Sequence, residues 1–114
     1  MSRFTLNNTR FTDELVQELN AEIPSFVLSD PYAHTVVFGF DHALGYFLQV
    51  VTSAVIDGEV EEEIILDLDS MFSGLRGWQL GYLIDKIHTT TKCGTSVPDQ
   101  IGRLIRLAYL DLPI

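Results

Sequence analysis

The side chains best placed to do chemistry in this chain are acids. Residues 11–75 hold thirteen of them (Asp13, Glu14, Glu18, Glu22, Asp30, Asp41, Asp57, Glu59, Glu61, Glu62, Glu63, Asp67 and Asp69) and not one lysine or arginine. All seven bases lie outside that span, with only Asp85, Asp99 and Asp111 against them. The densest stretch carries Glu59, Glu61, Glu62, Glu63, Asp67 and Asp69. If residues 61–69 form a strand, alternation puts Glu63, Asp67 and Asp69 on one face and Ile64, Leu66 and Leu68 on the other, with Ile65 breaking the pattern. Two residues of strand span about 7 Å, a step close to that between successive phosphates of one nucleic-acid strand. Such a face suits docking on a basic partner, or imitation of nucleic acid, and direct nucleic-acid binding by it is not expected. The plain alternative is a solvated surface whose charge keeps the protein soluble.

Other chemistries find less support. Clustered carboxylates attract hard cations, but this segment lacks the spacing and closing glutamate of an EF-hand loop, so no metal site is expected. His34, His42 and His88 are far apart and form no HxH or HExxH pattern, which suits turn, strand-end or helix-end positions. Cys93 stands five residues from His88 without a third orienting group, and no G-x-S-x-G elbow is present. Gly74, Gly77 and Gly81 lack the spacing and the Lys-Ser/Thr end of a phosphate loop, and Gly77 and Gly81 suit close approach of a helix to a sheet. No cofactor is expected, and an enzyme is the less expected class. The alternative function is a small-ligand-binding or catalytic domain with a pocket lined by Phe38, Phe40, Tyr46 and Trp78; a filled core there would favour an interaction protein instead.

The elements that must position these residues centre on Thr35–Phe40 and Tyr46–Thr52, two β-branched and aromatic runs around Asp41-His42-Ala43-Leu44-Gly45, which read as a β-hairpin. A loop of three or five residues sets Val36, Phe38 and Phe40 beside Tyr46, Leu48 and Val50, with Gly39 opposite Phe47. A four-residue loop ending on a left-handed Gly45 would instead pair Phe38 with Gln49. The apolar pairing is preferred. After Asp57-Gly58, a reversal signal, Glu61–Asp69 adds a third strand to give a meander.

Before the hairpin, Phe4-Thr5-Leu6 suits a short edge strand or an ordered arm. Thr12 suits a helix N-cap, with Asp13 and Glu14 in the first turn and Leu15, Val16, Leu19 and Ile23 as the apolar stripe up to Pro24. Ser25–Leu28 suits a short strand and Ser29-Asp30-Pro31-Tyr32 a turn. After the meander, residues 70–76 connect to a helix from about Gly77 to Thr89, with Leu80, Leu83, Ile84 and Ile87 inward and Trp78 and Tyr82 beside them. Ser96 and Asp99 resemble a capping box, with Pro98 in the first turn of a last helix that buries Ile101, Leu104, Ile105 and Ala108.

The order of elements predicts an α+β fold: a three- to four-stranded antiparallel sheet around a central meander, with three helices packed mainly on one face. The last helix is apolar beyond that face through Leu107, Tyr109, Leu110 and Leu112, which predicts a homodimer interface. Arg76, Lys86, Lys92, Arg103 and Arg106 are too sparse to read as a basic patch.

Phe38-Gly39-Phe40-Asp41, Leu44–Val50 and Gly74-Leu75-Arg76-Gly77-Trp78-Gln79-Leu80-Gly81 resemble small uncharacterised bacterial proteins of the accessory genome, carried by integron cassettes, phages and similar mobile elements. The likeness covers the middle third to half of the chain and rests on structural motifs, so no activity or site residue comes with it. It implies an accessory interaction protein more than a housekeeping enzyme.

Size and composition set the remaining bounds. At 114 residues the chain predicts one domain with its own core. A single cysteine excludes an intramolecular disulfide. No signal-peptide pattern and no membrane-length apolar run are present, so a soluble cytoplasmic protein is expected. A hydrophobic content of 46% with a mean hydropathy of +0.19 points to apolar surface covered by another chain, and the net charge of −9 bears on which partners are possible. The expected function is thus a small interaction or regulatory protein presenting an acidic face to a basic macromolecular partner.

Overall fold

The computed structural model describes residues 2–28, 33–91 and 98–113. The β-branched and aromatic runs form β1 (Ser2–Arg10), β2 (Ala33–Asp41), β3 (Gly45–Ile56) and β4 (Glu59–Asp69), side by side in that order and each antiparallel to its neighbour. Helix α1 (Asp13–Glu22) lies between β1 and β2 in sequence, and α2 (Gly77–Thr91) and α3 (Asp99–Tyr109) follow the sheet. This is the α+β class, with β1 added to the meander as a full nine-residue strand. Ser25–Leu28 is a loop, not a strand. The Asn20 amide donates to the carbonyls of Pro24 and Phe26 at 3.0 and 2.9 Å, which bends the chain and leaves Phe26 buried against Phe11.

Residues paired across strands share a face. Phe4, Phe38, Leu48 and Leu68 form one row across the sheet, and Leu6, Val36, Val50 and Leu66 the next. Those rows and the stripes Leu15-Leu19-Ile23, Leu80-Leu83-Ile84-Ile87 and Ile101-Leu104-Ile105-Ala108 join in one core. The helices therefore share the core face of the sheet. The opposite face is mixed: Val37 and Phe47 are buried, whereas Arg3, Thr5 and Asp67 are exposed.

The helix boundaries follow local chemistry. The Thr12 hydroxyl accepts from Leu15 N at 3.2 Å, closing the first turn of α1. Helix α2 runs on to Thr91, two residues past the sequence reading, and Thr91 Oγ1 donates to the Ile87 carbonyl at 2.6 Å. Helix α3 has Pro98 at its cap position, without a side-chain capping bond. Ser96 lies outside the described residues, as do Cys93, Lys92 and the turn Ser29–Tyr32.

The β2–β3 turn has three residues, His42, Ala43 and Leu44, which pairs Phe38 with Leu48 and Gly39 with Phe47. Gly45 has φ 71°, so the left-handed glycine and the apolar pairing coexist in one three-residue turn. Gly81 corrects another expectation. A Cβ there would lie 3.0 Å from the Ala108 Cβ, and one at Gly77 would lie 3.1 Å from the Ala108 carbonyl. Both glycines open space for α3, and only Gly77 also faces the sheet, at Tyr46.

The most consequential departure is in β4. Val50 pairs with Leu66 but Val51 pairs with Ile64, so Ile65 is the extra residue of a β-bulge. An inserted residue inverts the alternation on one side of it. Ile64 consequently shares the helix-free face with Val51, and Glu63 shares the core face with Thr52. Glu63 is thus on the opposite face from Asp67 and Asp69, and the expected row of three carboxylates about 7 Å apart does not form.

Candidate functional site

Pairing between β2 and β3 ends at Thr35 and Val51. From Thr52 onward β3 pairs only with β4, through Thr52–Glu63, Ser53–Glu62, Ala54–Glu61, Val55–Val60 and Ile56–Glu59. Residues 52–63 therefore project as a two-stranded arm beyond the strands that carry the helices. Its tip is Asp57-Gly58, with φ 53° and 80°. Two successive positive φ angles mark the two-residue turn whose twist matches a hairpin.

Alternation sorts the arm into two unlike faces. Thr52, Ala54, Ile56, Glu59, Glu61 and Glu63 occupy the continuation of the core face, and Ser53, Val55, Val60 and Glu62 the other. A groove of about 290 Å³ is lined by Thr52, Ala54, Ile56, Glu61, Glu62 and Glu63. All four glutamates are exposed, and so are Val55 (73%), Val60 (69%) and Ile56 (49%). A lone two-stranded hairpin is marginal in water, and on this arm both faces carry exposed apolar side chains. The acids also guard the free edge of β4 against pairing with another strand.

The remaining two acids of the expected face do different work. Asp67 is exposed, and its Oδ1 accepts from Gln49 Nε2 at 3.3 Å. Asp69 is buried, and its Oδ1 accepts from the backbone N–H of Met71, Phe72 and Ser73 at 3.0, 2.5 and 3.3 Å. That carboxylate ties down the loop leaving the sheet and has no free face for a partner. The structure thus brings Glu59, Glu61, Glu62 and Glu63 together on the arm and separates Asp67 and Asp69 from them. The arm's exposed apolar residues escaped the sequence reading, although the second run of the hairpin outlasts the first and Asp57-Gly58 marks a turn at its end.

The four aromatic residues do not meet in one pocket. Phe38 is wholly buried and stacks on Phe4 with ring centroids 5.7 Å apart, and Trp78 is 48% exposed. Phe40 and Tyr46 form an edge-to-face pair at 5.1 Å and line a cleft of about 210 Å³ with His42, Ser70, Met71 and Leu112. Phe38 fills the core and takes no part in that cleft. His34 and His88 are buried at the start of β2 and the end of α2, and His42 is exposed in the β2–β3 turn. Among the described residues no three His, Cys, Asp or Glu side chains group as metal ligands, and no helix is long and apolar enough to cross a membrane.

At the other end of the sheet, Leu107 is half-buried against the core, while Tyr109, Leu110 and Leu112 are exposed. The Tyr46 hydroxyl donates to the Leu112 carbonyl, and Asp111 accepts from Gly77 N at 2.8 Å and pairs with Arg76 at 3.5 Å. Burial, then the Asp111 carboxylate, pushes the Tyr46 phenol above its ordinary 10.0, and Arg103 opposes them. A proton held more tightly in the folded state stabilises fully below the ordinary value, and that stability is lost as pH rises through the raised one. The thermal midpoint should therefore fall more steeply above about pH 10 in the native protein than in Tyr46→Phe. Equal steepness in the two would show that the phenol titrates without linkage to folding.

Compared with models of protein families, with curated proteins and with solved structures, the chain matches none.

Proposed function

We propose that this chain is a small non-enzymatic interaction protein that presents its β3–β4 arm to a basic macromolecular partner. The observation that carries this reading is the arm itself. It projects past the helices, leaves both faces open, and gathers Asp57, Glu59, Glu61, Glu62 and Glu63 with no base between them. Uncompensated charge on an exposed projection steers a partner of opposite sign and speeds encounter, an effect that weakens as salt rises through the physiological range. The ligand-binding alternative loses its support where Phe38 fills the core.

The test is a Glu59→Gln, Glu61→Gln, Glu62→Gln, Glu63→Gln variant. All four side chains are exposed, so the thermal midpoint should stay within about a degree or two, in keeping with surface substitutions. Capture of partners from native cell extract, with salt elution, should fall in the variant, and a captured partner should associate several-fold more slowly with it at low salt. If on-rate and salt dependence are unchanged, the acidity serves solubility alone and the reading fails.

A further inference from the structure

The molecule has two bare apolar patches, one at each end, and they are framed by opposite charge. The arm tip defines one end. The turn at His42–Leu44 defines the other, and α3 belongs to that end throughout: Gln100, Arg103 and Leu104 line a cavity with Ser2 and Phe4, and Leu112 receives the Tyr46 hydroxyl. On α3 the buried positions Ile101, Leu104, Ile105 and Ala108 leave Arg103, Arg106 and Leu110 on the solvent ridge, three and four residues apart. Leu110 is 67% exposed. Neither arginine makes an ion pair among the described residues, where the pairs are Arg76–Asp111 and Lys86–Glu18. The arm offers the converse: Glu61 and Glu63 on β4, beside Ala54 and Ile56 on β3.

One copy cannot close this pair on itself, because the two patches sit at opposite ends of a body 44 Å long. We infer that the arm's partner is a second copy of this chain, which is acidic as a whole but meets the arm with the two arginines of its α3 ridge, in an antiparallel two-fold pair where the groove of each arm lies on the α3 ridge of the other. Glu61 and Glu63 then face Arg103 and Arg106, and Ile56 meets Leu110. Two-fold symmetry forms this contact twice, so two short contacts share the roughly 800 Å² per partner that a stable interface buries. The inference rests on the proposed role of the arm and names its partner. Two copies of a chain with net charge −9 also repel each other, so salt screens attraction and repulsion together and charge exchange is the sharper test.

The experiment is sedimentation of the full chain at tens of micromolar, an order suited to weak homodimers. The native protein should sediment as a dimer. Glu61→Arg with Glu63→Arg, and separately Arg103→Glu with Arg106→Glu, should each give monomers whose circular dichroism and thermal midpoint match the native protein. An equimolar mixture of the two variants should restore the dimer, because each reversed arm then meets a reversed ridge. Should a reversal variant fail to fold, Glu61→Gln with Glu63→Gln and Arg103→Gln with Arg106→Gln replace it, each expected to weaken the dimer about tenfold or more. A native monomer, a dimer indifferent to either pair of changes, or folded reversal variants that stay monomeric when mixed would overturn the inference. A native monomer that still captures a partner in an arm-dependent, salt-sensitive way would leave the proposed function standing without it.

Discussion

Phe38→Ala should destabilise the protein by about 3–5 kcal/mol, the range for truncating a buried phenylalanine. Phe38 sits in the middle of β2, pairs with Phe4 on one side and Leu48 on the other, and has no exposed surface. Its ring stacks on Phe4 and belongs to the core that the stripes of all three helices share. Truncation removes the transfer free energy of the ring and leaves a cavity that a sheet held by neighbours on both sides cannot collapse to fill. For a domain of this size the loss is a large fraction of total stability. The measurement is urea denaturation. The midpoint should fall steeply with an unchanged m-value, and a midpoint near that of the native protein would show that the hairpin is not the organising element.

The second large effect belongs to an acid. Asp69→Ala should cost about 2–3 kcal/mol, because hydrogen bonds to a charged group are worth more than neutral ones and three of them are lost together. The carboxylate holds the amides of Met71, Phe72 and Ser73, and Ser73 Oγ in turn receives the Asp69 amide at 3.1 Å. Asp67→Ala, two residues earlier on the same face, removes one exposed contact to Gln49 and should change stability by no more than about 0.5 kcal/mol. Thermal melts of the two variants side by side decide the matter. Equal losses would mean that the loop after β4 is held by something other than this carboxylate.

Much of the fold is legible in the sequence because short-range physics decides it. The stripe Leu15-Leu19-Ile23 needs only a helical period, and the Thr12 cap and the breaking effect of Pro24 need only local stereochemistry. The pairing of Phe38 with Leu48 follows from apolar matching across a short turn, and the α+β class follows from element order. Single substitutions at these places would be understood without coordinates.

What the tertiary structure alone decided is where each alternating pattern ends and what each acid faces. One surplus residue, Ile65, lies inside an apolar run in which nothing local marks a bulge. Its extrusion is settled by two constraints acting from a distance: the Asp57-Gly58 turn sets the register of the arm, and the core sets that of Leu66 and Leu68. Because the side-chain period of a strand is two, that single residue carried Glu63 to one face and left Asp67 and Asp69 on the other. The same holds for Asp69, whose charge looks like that of its neighbours in sequence. It is buried because the chain turns back at Ser70–Ser73 and lays three amides around it. Composition determined that this protein is acidic; only the packing of the strands decided which acids remain free to meet another molecule.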